Sequence, residues 1–232
     1  MVIKDSIDKR GKKEMLKTKE LLDLNHTIAK EYLKNNEYPW QALKGIGDLI
    51  IELGKKLNKE EYKEVKENVW IHNTAKVFDS AYINGPCIIG ANTEVRHCAF
   101  IRGNALVGEN CVVGNSCELK NVILFDNVQT PHYNYVGDSI LGYKTHMGAG
   151  SITSNVRADK ALVKIHADQE IETELKKMGA ILGDYVEVGC NAVLNPGTII
   201  GRNSIVYPTS CVRGVVEENN IYTNTGKILP RK

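Results

Sequence analysis

Apolar residues recur at every sixth position through the middle of this chain. The first run of the frame is Ile71, Val77, Ile83, Ile89, Val95, Ile101, Val107, Val113, Leu119 and Phe125. The frame returns later at Leu182, Val188, Leu194, Ile200, Val206 and Val212. The residues two positions before these sites are mostly small, as in Ala75, Ala81 and Cys87. A fixed repeat of this length specifies an architecture rather than a single helix or strand.

A period of six fits neither a helix, which needs apolar spacings of three and four, nor a plain alternating strand. It fits a parallel β-helix, in which each hexad supplies one short strand and a corner. Three hexads then make one triangular coil, and residues eighteen apart stack at about 4.8 Å, the spacing of paired strands. The pattern therefore predicts a mainly β fold built as a hexapeptide-repeat solenoid.

The repeat divides the chain into three parts. Residues 1–66 carry no hexads and predict an α-helical segment, with helices over 12–35 and 39–57, a short third helix after Asn58, and a role in capping the first coil. Residues 67–216 form the β-helix, and residues 217–232 are expected to be a C-terminal tail.

Two interruptions break the frame. The interval from Phe125 to Leu141 is not a multiple of six, which predicts a loop over 129–136. A longer insertion covers 154–179, and its part from Glu170 to Lys177 is expected to form a helical turn or two. Insertions in solenoids often mark the binding face, so these loops locate the expected site.

Composition narrows the function classes. The chain has 30 Lys and Arg residues and 28 Asp and Glu residues, so its net charge is +2. It lacks the strong positive charge typical of proteins that bind nucleic acids or anionic membranes. No apolar stretch could span a bilayer and no signal-peptide core opens the sequence, so a cytoplasmic location is expected. Among the six cysteines, Cys87, Cys111 and Cys117 occupy small inward positions, which favours packing over disulfides or a metal cluster.

The corners of the repeat resemble a known class. Runs such as Ile89-Gly90-Ala91-Asn92 and Val107-Gly108-Glu109-Asn110 are similar to the bacterial hexapeptide transferases. Strand crossovers are normally right-handed, but the resemblance implies the left-handed parallel β-helix of that class.

A closer resemblance begins at His132-Tyr133-Asn134-Tyr135-Val136-Gly137-Asp138 and continues through Met147-Gly148-Ala149-Gly150-Ser151-Ile152-Thr153-Ser154-Asn155. With Ile101-Arg102-Gly103 and Glu118-Leu119-Lys120 upstream, it covers roughly residues 99–155. This set resembles the acetyltransferase domain of the bifunctional uridyltransferase/glucosamine-1-phosphate acetyltransferase. The resemblance implies an N-acetyltransferase that uses acetyl-CoA as co-substrate, needs no metal, and assembles as a homotrimer.

Residue by residue, the resemblance implies catalytic roles for His132, as general base on the acceptor amine, and Glu118, which would orient His132 or the amine. It implies that Arg102 and Lys120 hold a sugar phosphate.

The remaining matched positions border the same site. Tyr135 and Asn155 match positions that contact the sugar or lie beside the cofactor. Ala149 and Cys190 match positions along the coenzyme A arm.

The spacing of the two cations adds a separate argument. Arg102 and Lys120 are eighteen residues apart, so stacked coils would bring their charges to about 5 Å, where they repel unless an anion lies between them. An anion site is therefore expected there, with a solvated face as the alternative.

Departures from the family leave the acceptor open. The family has Asn-Tyr-Asp-Gly where this chain has Asn155-Val156-Arg157-Ala158, and His146 replaces an asparagine near the amine. Arg157, Lys160 or Lys164 could supply a different anion contact. The expected acceptor is a phosphorylated amino sugar or a sugar nucleotide.

Three other functions compete with this one. A non-catalytic β-helix scaffold or regulatory protein shares every structural feature of the repeat. A sugar-nucleotide pyrophosphorylase would need a Gly-rich loop on a Rossmann-like domain, which the first 66 residues do not contain. A metal-dependent lyase would need three histidines around zinc, and His97, His132 and His146 lack the closely spaced pair expected on one loop.

Overall fold

The computed structural model describes residues 12–232. Short parallel strands wind into a solenoid in which Val69 pairs with Cys87, and Cys87 with Ala105, eighteen residues along. This confirms the mainly β solenoid with an N-terminal helical segment, apart from residues 1–11, which lie outside the described residues. The hand of the coil stays a prediction.

The strands lie on three faces, here called A, B and C. Face A contains Val69–His72, Cys87–Ile89, Ala105–Val107, the second halves of Glu118–Leu124 and Tyr135–Leu141, Ala180–Leu182, Thr198–Ile200 and Val215–Val216. Face B contains Lys76–Val77, Glu94–Val95, Val112–Asn115, Gln129–His132, His146–Met147, Glu187–Val188, Ile205–Val206 and Asn220–Tyr222. Face C contains Tyr82–Ile83, Phe100–Ile101, the first halves of Glu118–Leu124 and Tyr135–Leu141, Ile152–Thr153, Val193–Leu194 and Cys211–Val212.

Face A differs from the other two because its outward side chains are both apolar and fully buried, whereas outward apolar residues on face C, such as Phe100, are exposed. These outward residues have no exposed surface: Ile88, Leu106, Ile123, Ile140, Ile181 and Ile199. Each such side chain contributes roughly 1.5–3 kcal/mol when fully buried. The face therefore requires a cover.

The N-terminal segment supplies that cover. Its α-helices are Lys12–Met15, Thr18–Leu21, Lys30–Lys34 and Ile46–Gly54, with 3-10 turns at Leu24–His26 and Pro39–Gly45. The last helix contacts the face A strands at Cys87–Ile89 and Ala105–Val107. The expectation that these helices cap the first coil is wrong, because they lie along the side of the solenoid.

The single helix expected over 12–35 is interrupted for a local reason. Leu22 is extended, with φ −131° and ψ 128°. The next backbone N–H, at Asp23, donates to the buried Asp184 carboxylate at 2.7 Å. This bond ties the chain to the solenoid and leaves it as short helical pieces.

Antiparallel strands cover both ends of the coil. Tyr62–Lys66, where a third helix was expected, pairs with Val69–His72. At the other end, Ile228–Pro230 pairs with Asn220–Tyr222, so the expected tail contains two strands. Pairing satisfies edges that would otherwise invite association.

The loop expected over 129–136 does not exist. Residues Gln129–His132 and Tyr135–Leu141 are strands inside the solenoid. Leu119 pairs with Ile101, eighteen residues earlier, but with Val136, only seventeen later. The coil shortens because Lys120-Asn121 replaces Arg102-Gly103-Asn104 at a corner. As a result Leu124, and not Phe125, stacks on Val107.

The insertion at 154–179 does leave the solenoid. It forms an antiparallel hairpin of Val163–His166 and Glu170–Leu175, so the helical turn expected near its end is wrong. Alternating side chains explain the strand, since Thr173 and Leu175 are buried while Glu172 and Glu174 are exposed. The Met178 N–H donates to the Asn155 carbonyl at 3.0 Å and closes the base of the insertion.

Candidate active site

The predicted site residues lie at the two edges of face C. The corner between faces B and C, here the BC corner, carries His132, Ala149 and Cys190. The corner between faces C and A, here the CA corner, carries Arg102, Lys120 and Asn155. Glu118 and Tyr135 lie on the face between them.

His132 ends a face B strand and is exposed at the BC corner. Its carbonyl accepts a hydrogen bond from the Gly150 N–H at 3.0 Å, so its backbone is fixed to the next coil. Its imidazole makes no side-chain hydrogen bond within residues 12–232, which leaves both ring nitrogens accessible to a ligand.

The Gly148-Ala149-Gly150 turn stacks directly on His132. A side chain at Gly148 would lie 2.6 Å from the Cys190 backbone nitrogen, and Gly150 has φ +72°. Both positions therefore require glycine. The Ala149 carbonyl accepts from the Asn191 N–H at 2.9 Å, while the Ala149 N–H has no acceptor in the described part of the chain.

The CA corner is organised around the carboxylate of Asp138. The residue is 4% exposed and adopts φ +48°. Lys120 Nζ lies 2.9 and 3.1 Å from its two oxygens. Asn121 Nδ2 donates to it at 2.9 Å and Asn155 Nδ2 at 2.5 Å. Asn121 Nδ2 also lies 3.1 Å from the carbonyl of Leu43, which connects this corner to the N-terminal segment.

Two further contacts extend the cluster across face C. Arg102 Nη1 donates to Glu118 Oε1 at 2.8 Å, and both side chains are partly exposed. The Tyr135 hydroxyl accepts from Asn155 Nδ2 at 3.1 Å. Burial raises the pKa of Tyr135, and the nearby Asp138 and Glu118 carboxylates add to that shift. Tyr135 is therefore a neutral hydrogen-bonding group at working pH.

The structure thus brings five of the predicted residues together: Arg102, Glu118, Lys120, Tyr135 and Asn155. Within one chain His132 lies across face C from Arg102 and Lys120. In the free chain the two cations do not face each other unpaired, because Glu118 neutralises Arg102 and Asp138 neutralises Lys120. The anion site stays a prediction.

The 154–179 insertion arises at the CA corner. The Gly179 N–H donates to the Asp138 carbonyl at 2.8 Å. Two of the cations considered for an anion contact have partners within the insertion. Arg157 pairs with Asp159 at 2.6 Å, and Lys164 pairs with Glu172 at 3.1 Å.

Comparison with known proteins shows which family this chain matches. The profile of the family described as the GMPPB C-terminal domain matches residues 83–232. The chain belongs to this family. The match covers nearly all of the β-helix, including both corners that border face C.

Curated relatives of this GMPPB-type domain are bifunctional proteins. The bifunctional protein GlmU of Methanococcus maripaludis is 30% identical over 204 residues, which cover 87% of this chain and 50% of that protein. GlmU of Methanocaldococcus jannaschii is 30% identical over 247 residues, covering 100% of this chain and 58% of the relative. The chain spans about half the length of these relatives. It is a hexapeptide-repeat β-helix homologous to acetyltransferase domains.

A solved structure is more distantly similar. PerB from Caulobacter crescentus, in complex with CoA and GDP-perosamine, is 19% identical and covers 80% of this chain and 67% of its own, with a TM-score of 0.38.

Sequence reasoning missed three supporting residues in this domain: Asp138, Asn121 and Asn134. Asp138 had a visible signal, because an acidic residue directly follows Val136-Gly137 where the coil turns. Asn134 also had one, since an amide occupies an inward position that is elsewhere small.

Two other observations concern metal binding and membrane-spanning helices. Within residues 12–232, no group of three or more His, Cys, Asp or Glu side chains is arranged to hold a metal ion. None of the helices in the same range is long and apolar enough to span a bilayer.

Proposed function

We propose that this chain is a coenzyme A-dependent N-acetyltransferase domain that acts on a phosphorylated amino sugar or a sugar nucleotide. The observation that carries the proposal is the BC corner. There an exposed imidazole without a side-chain partner among the described residues lies beside a glycine turn with a free N–H.

The chemistry needs little else. His132 takes a proton from the acceptor amine, whose nitrogen attacks the thioester carbonyl carbon of acetyl-CoA. The Ala149 N–H is a suitable donor to the resulting oxyanion. Collapse of the intermediate breaks the carbon–sulfur bond, and the proton on His132 passes to the departing thiolate. The products are an acetamide and free coenzyme A.

The residues present fit the acetyl-CoA arm. The pantetheine chain carries amides that need close contact with backbone, and Gly148 and Gly150 present backbone without side chains at this corner. Ala149 and Cys190 flank the same track. The donor set therefore suits a narrow, amide-containing ligand.

Arg102 is the residue that binds the acceptor phosphate. Its pair with Glu118 is exposed, with 47% and 33% of the two side chains accessible, so an incoming phosphate can displace Glu118. Displacement frees the Glu118 carboxylate for the acceptor ammonium. Lys120 is held by buried Asp138 and supports the pocket instead.

A homotrimer would complete this arrangement. Because His132 and Arg102 lie at opposite edges of face C, a neighbouring copy can bring its own Arg102 toward His132. Light scattering of the purified chain tests the stoichiometry, and a monomer that retains full activity would contradict the shared site.

The experiment compares acetyl transfer by the wild type, His132→Ala and His97→Ala. His97 is an exposed histidine at the same corner, two coils earlier. With acetyl-CoA and glucosamine 1-phosphate or a nucleoside-diphosphate amino sugar, we expect His132→Ala to lower kcat by about 10²–10⁴-fold. His97→Ala should retain wild-type turnover. Equal turnover in all three proteins removes His132 from the mechanism.

A second candidate is a non-catalytic regulatory domain. The carboxylate partners of Arg102 and Lys120 favour it, because a site whose charges are internally balanced can be stable without substrate. Calorimetry with coenzyme A separates the two functions. Failure to bind at millimolar coenzyme A would support the regulatory function.

A further inference from the structure

The inward column nearest His132 contains one exceptional residue. This column consists of the residues two before the inward positions of face C: Ala81, Ala99, Cys117, Asn134, Ser151, Ala192 and Ser210. All the others are small. The carboxamide occurs only at the level of His132, where it is 2% exposed.

The Asn134 side chain joins the two parts of the BC corner. Its Oδ1 accepts from the His132 backbone N–H at 3.1 Å. Its Nδ2 donates to the Gly148 carbonyl at 2.8 Å and to the Ser151 carbonyl at 3.1 Å. The amide thus binds His132 on one coil and both ends of the Gly148–Ser151 turn on the next.

Burying an amide is unfavourable unless its hydrogen bonds are satisfied, and alanine is accepted elsewhere in this column. Packing alone therefore does not require asparagine at this level. The bonds it forms do have a consequence for the proposed reaction, because they fix the backbone of His132 relative to the Ala149 N–H. A general base and an oxyanion donor must keep a fixed separation to act on one carbonyl.

We propose that Asn134 is a positioning residue that sets His132 against the Gly148-Ala149-Gly150 turn. This inference rests on the proposed function. It assigns Asn134 no contact with substrate, so its removal should affect the rate of the chemical step more than the binding of either substrate.

The test uses Asn134→Ala in the full chain, with Ser210→Ala as matched control. Ser210 is in the same column, and its buried hydroxyl has no partner among the described residues. We expect Asn134→Ala to lower kcat by about 10–100-fold, with KM for both substrates within about threefold of wild type. Ser210→Ala should keep both constants. A kcat for Asn134→Ala within twofold of the control overturns the inference.

A second measurement separates this inference from the proposed function. In histidine-labelled protein without substrate, Asn134→Ala should shift the NMR signals of the His132 ring and leave those of His97 unchanged. If the wild type transfers no acetyl group but His132 shifts, the proposed function fails and the positioning role stands. Unchanged His132 signals overturn the positioning role whatever the activity.

Asn134→Asp refines the test, since it keeps an acceptor for the His132 N–H but has no N–H donors for Gly148 and Ser151. A positioning role through both bonds predicts a loss of kcat with this variant as well. Full activity of Asn134→Asp would overturn the proposed bridge to the turn.

Discussion

The two corners that border face C are built in opposite ways. At the CA corner buried Asp138 contacts one cation and two amides, and every charge is balanced within the chain. At the BC corner glycines and buried Asn134 hold the backbone, while the His132 imidazole is left exposed. The buried polar side chains of the CA corner serve the structure, whereas the BC corner keeps a titratable group available for a ligand.

The two residues predicted to hold a phosphate, Arg102 and Lys120, also differ in their surroundings. Lys120 points into the CA cluster and pairs with Asp138. The exposed fraction is 27% for the Lys120 side chain and 5% for the Asp138 side chain. Arg102 sits at the outer edge of the same corner and pairs with a partly exposed carboxylate. Similar sequence positions therefore give different functions, because Lys120 pairs with the buried Asp138 carboxylate, whereas Arg102 pairs with the partly exposed Glu118.

The largest expected difference between the corners is in stability. Asp138→Asn preserves the backbone preference at positive φ but leaves the Lys120 ammonium without its carboxylate. We expect the free energy of unfolding to fall by about 3 kcal/mol, the lower end of the scale for breaking a buried ion pair, because the Lys120 side chain is partly exposed. His132→Ala should change it by less than about 0.5 kcal/mol. Chemical denaturation measures both.

The double variant Lys120→Met with Asp138→Asn checks the cause. Removal of both charges should recover a large part of the stability lost by Asp138→Asn. Equal instability of the single and double variants would show that the ion pair is not what holds this corner.

The next effect concerns the link to the N-terminal segment. Asn121→Gly keeps the positive φ of 55° but removes the bonds to Leu43 and Asp138. With about 1 kcal/mol for each bond, we expect a loss of about 2 kcal/mol and a higher KM for the acceptor. Asn127→Gly, at φ 62° on another corner, is the matched control. Equal losses in the two variants would argue against a specific link.

A smaller effect separates Arg102 from Lys120. Arg102→Ala should raise KM for a phosphorylated acceptor by about tenfold, because one charge-assisted hydrogen bond is lost. Its thermal stability should match that of the wild type, since the pair with Glu118 is exposed. Lys120→Met should lower the melting temperature instead. Steady-state kinetics and thermal melts distinguish the two residues, and an unchanged KM for Arg102→Ala would contradict its assigned role.

The coil was predictable from the sequence because few architectures besides a β-helix repeat every six residues. The shortened coil was not, because Phe125 is apolar and buried, so the frame seemed to continue after one residue had been lost. The covered face did have a signal. Runs of three apolar residues, such as Cys87-Ile88-Ile89, occur on face A and predict a second buried surface.

The sequence predicted which residues form the site, but not which of them pair with one another. Resemblance selected five residues that the structure gathers on and beside face C, together with His132 at its other edge. The carboxylate partners of the two cations were not foreseen, because stacking related Arg102 only to Lys120, whereas each ammonium or guanidinium group reaches a carboxylate that is not directly paired with it. The register pairs Lys120 with Gly137, and the neighbouring Asp138 extends its carboxylate to Lys120 Nζ. The hairpin strand was missed although Ile171, Thr173 and Leu175 alternate with glutamates.

The smallest expected effect uses the third corner, between faces A and B, as a reference for Asp138. Asp126 lies there without a lysine or arginine partner among the described residues. Burial raises the pKa of its carboxyl, although the Glu109 N–H, donating at 2.8 Å, partly opposes the shift.

A carboxyl with a raised pKa in the folded state disfavours folding at neutral pH, and this penalty disappears as the pH falls through that pKa toward the unfolded value. Asp126→Asn should therefore melt above the wild type at pH 7, with a gap that narrows on acidification toward about pH 4. A gap that widens in acid would contradict the assignment.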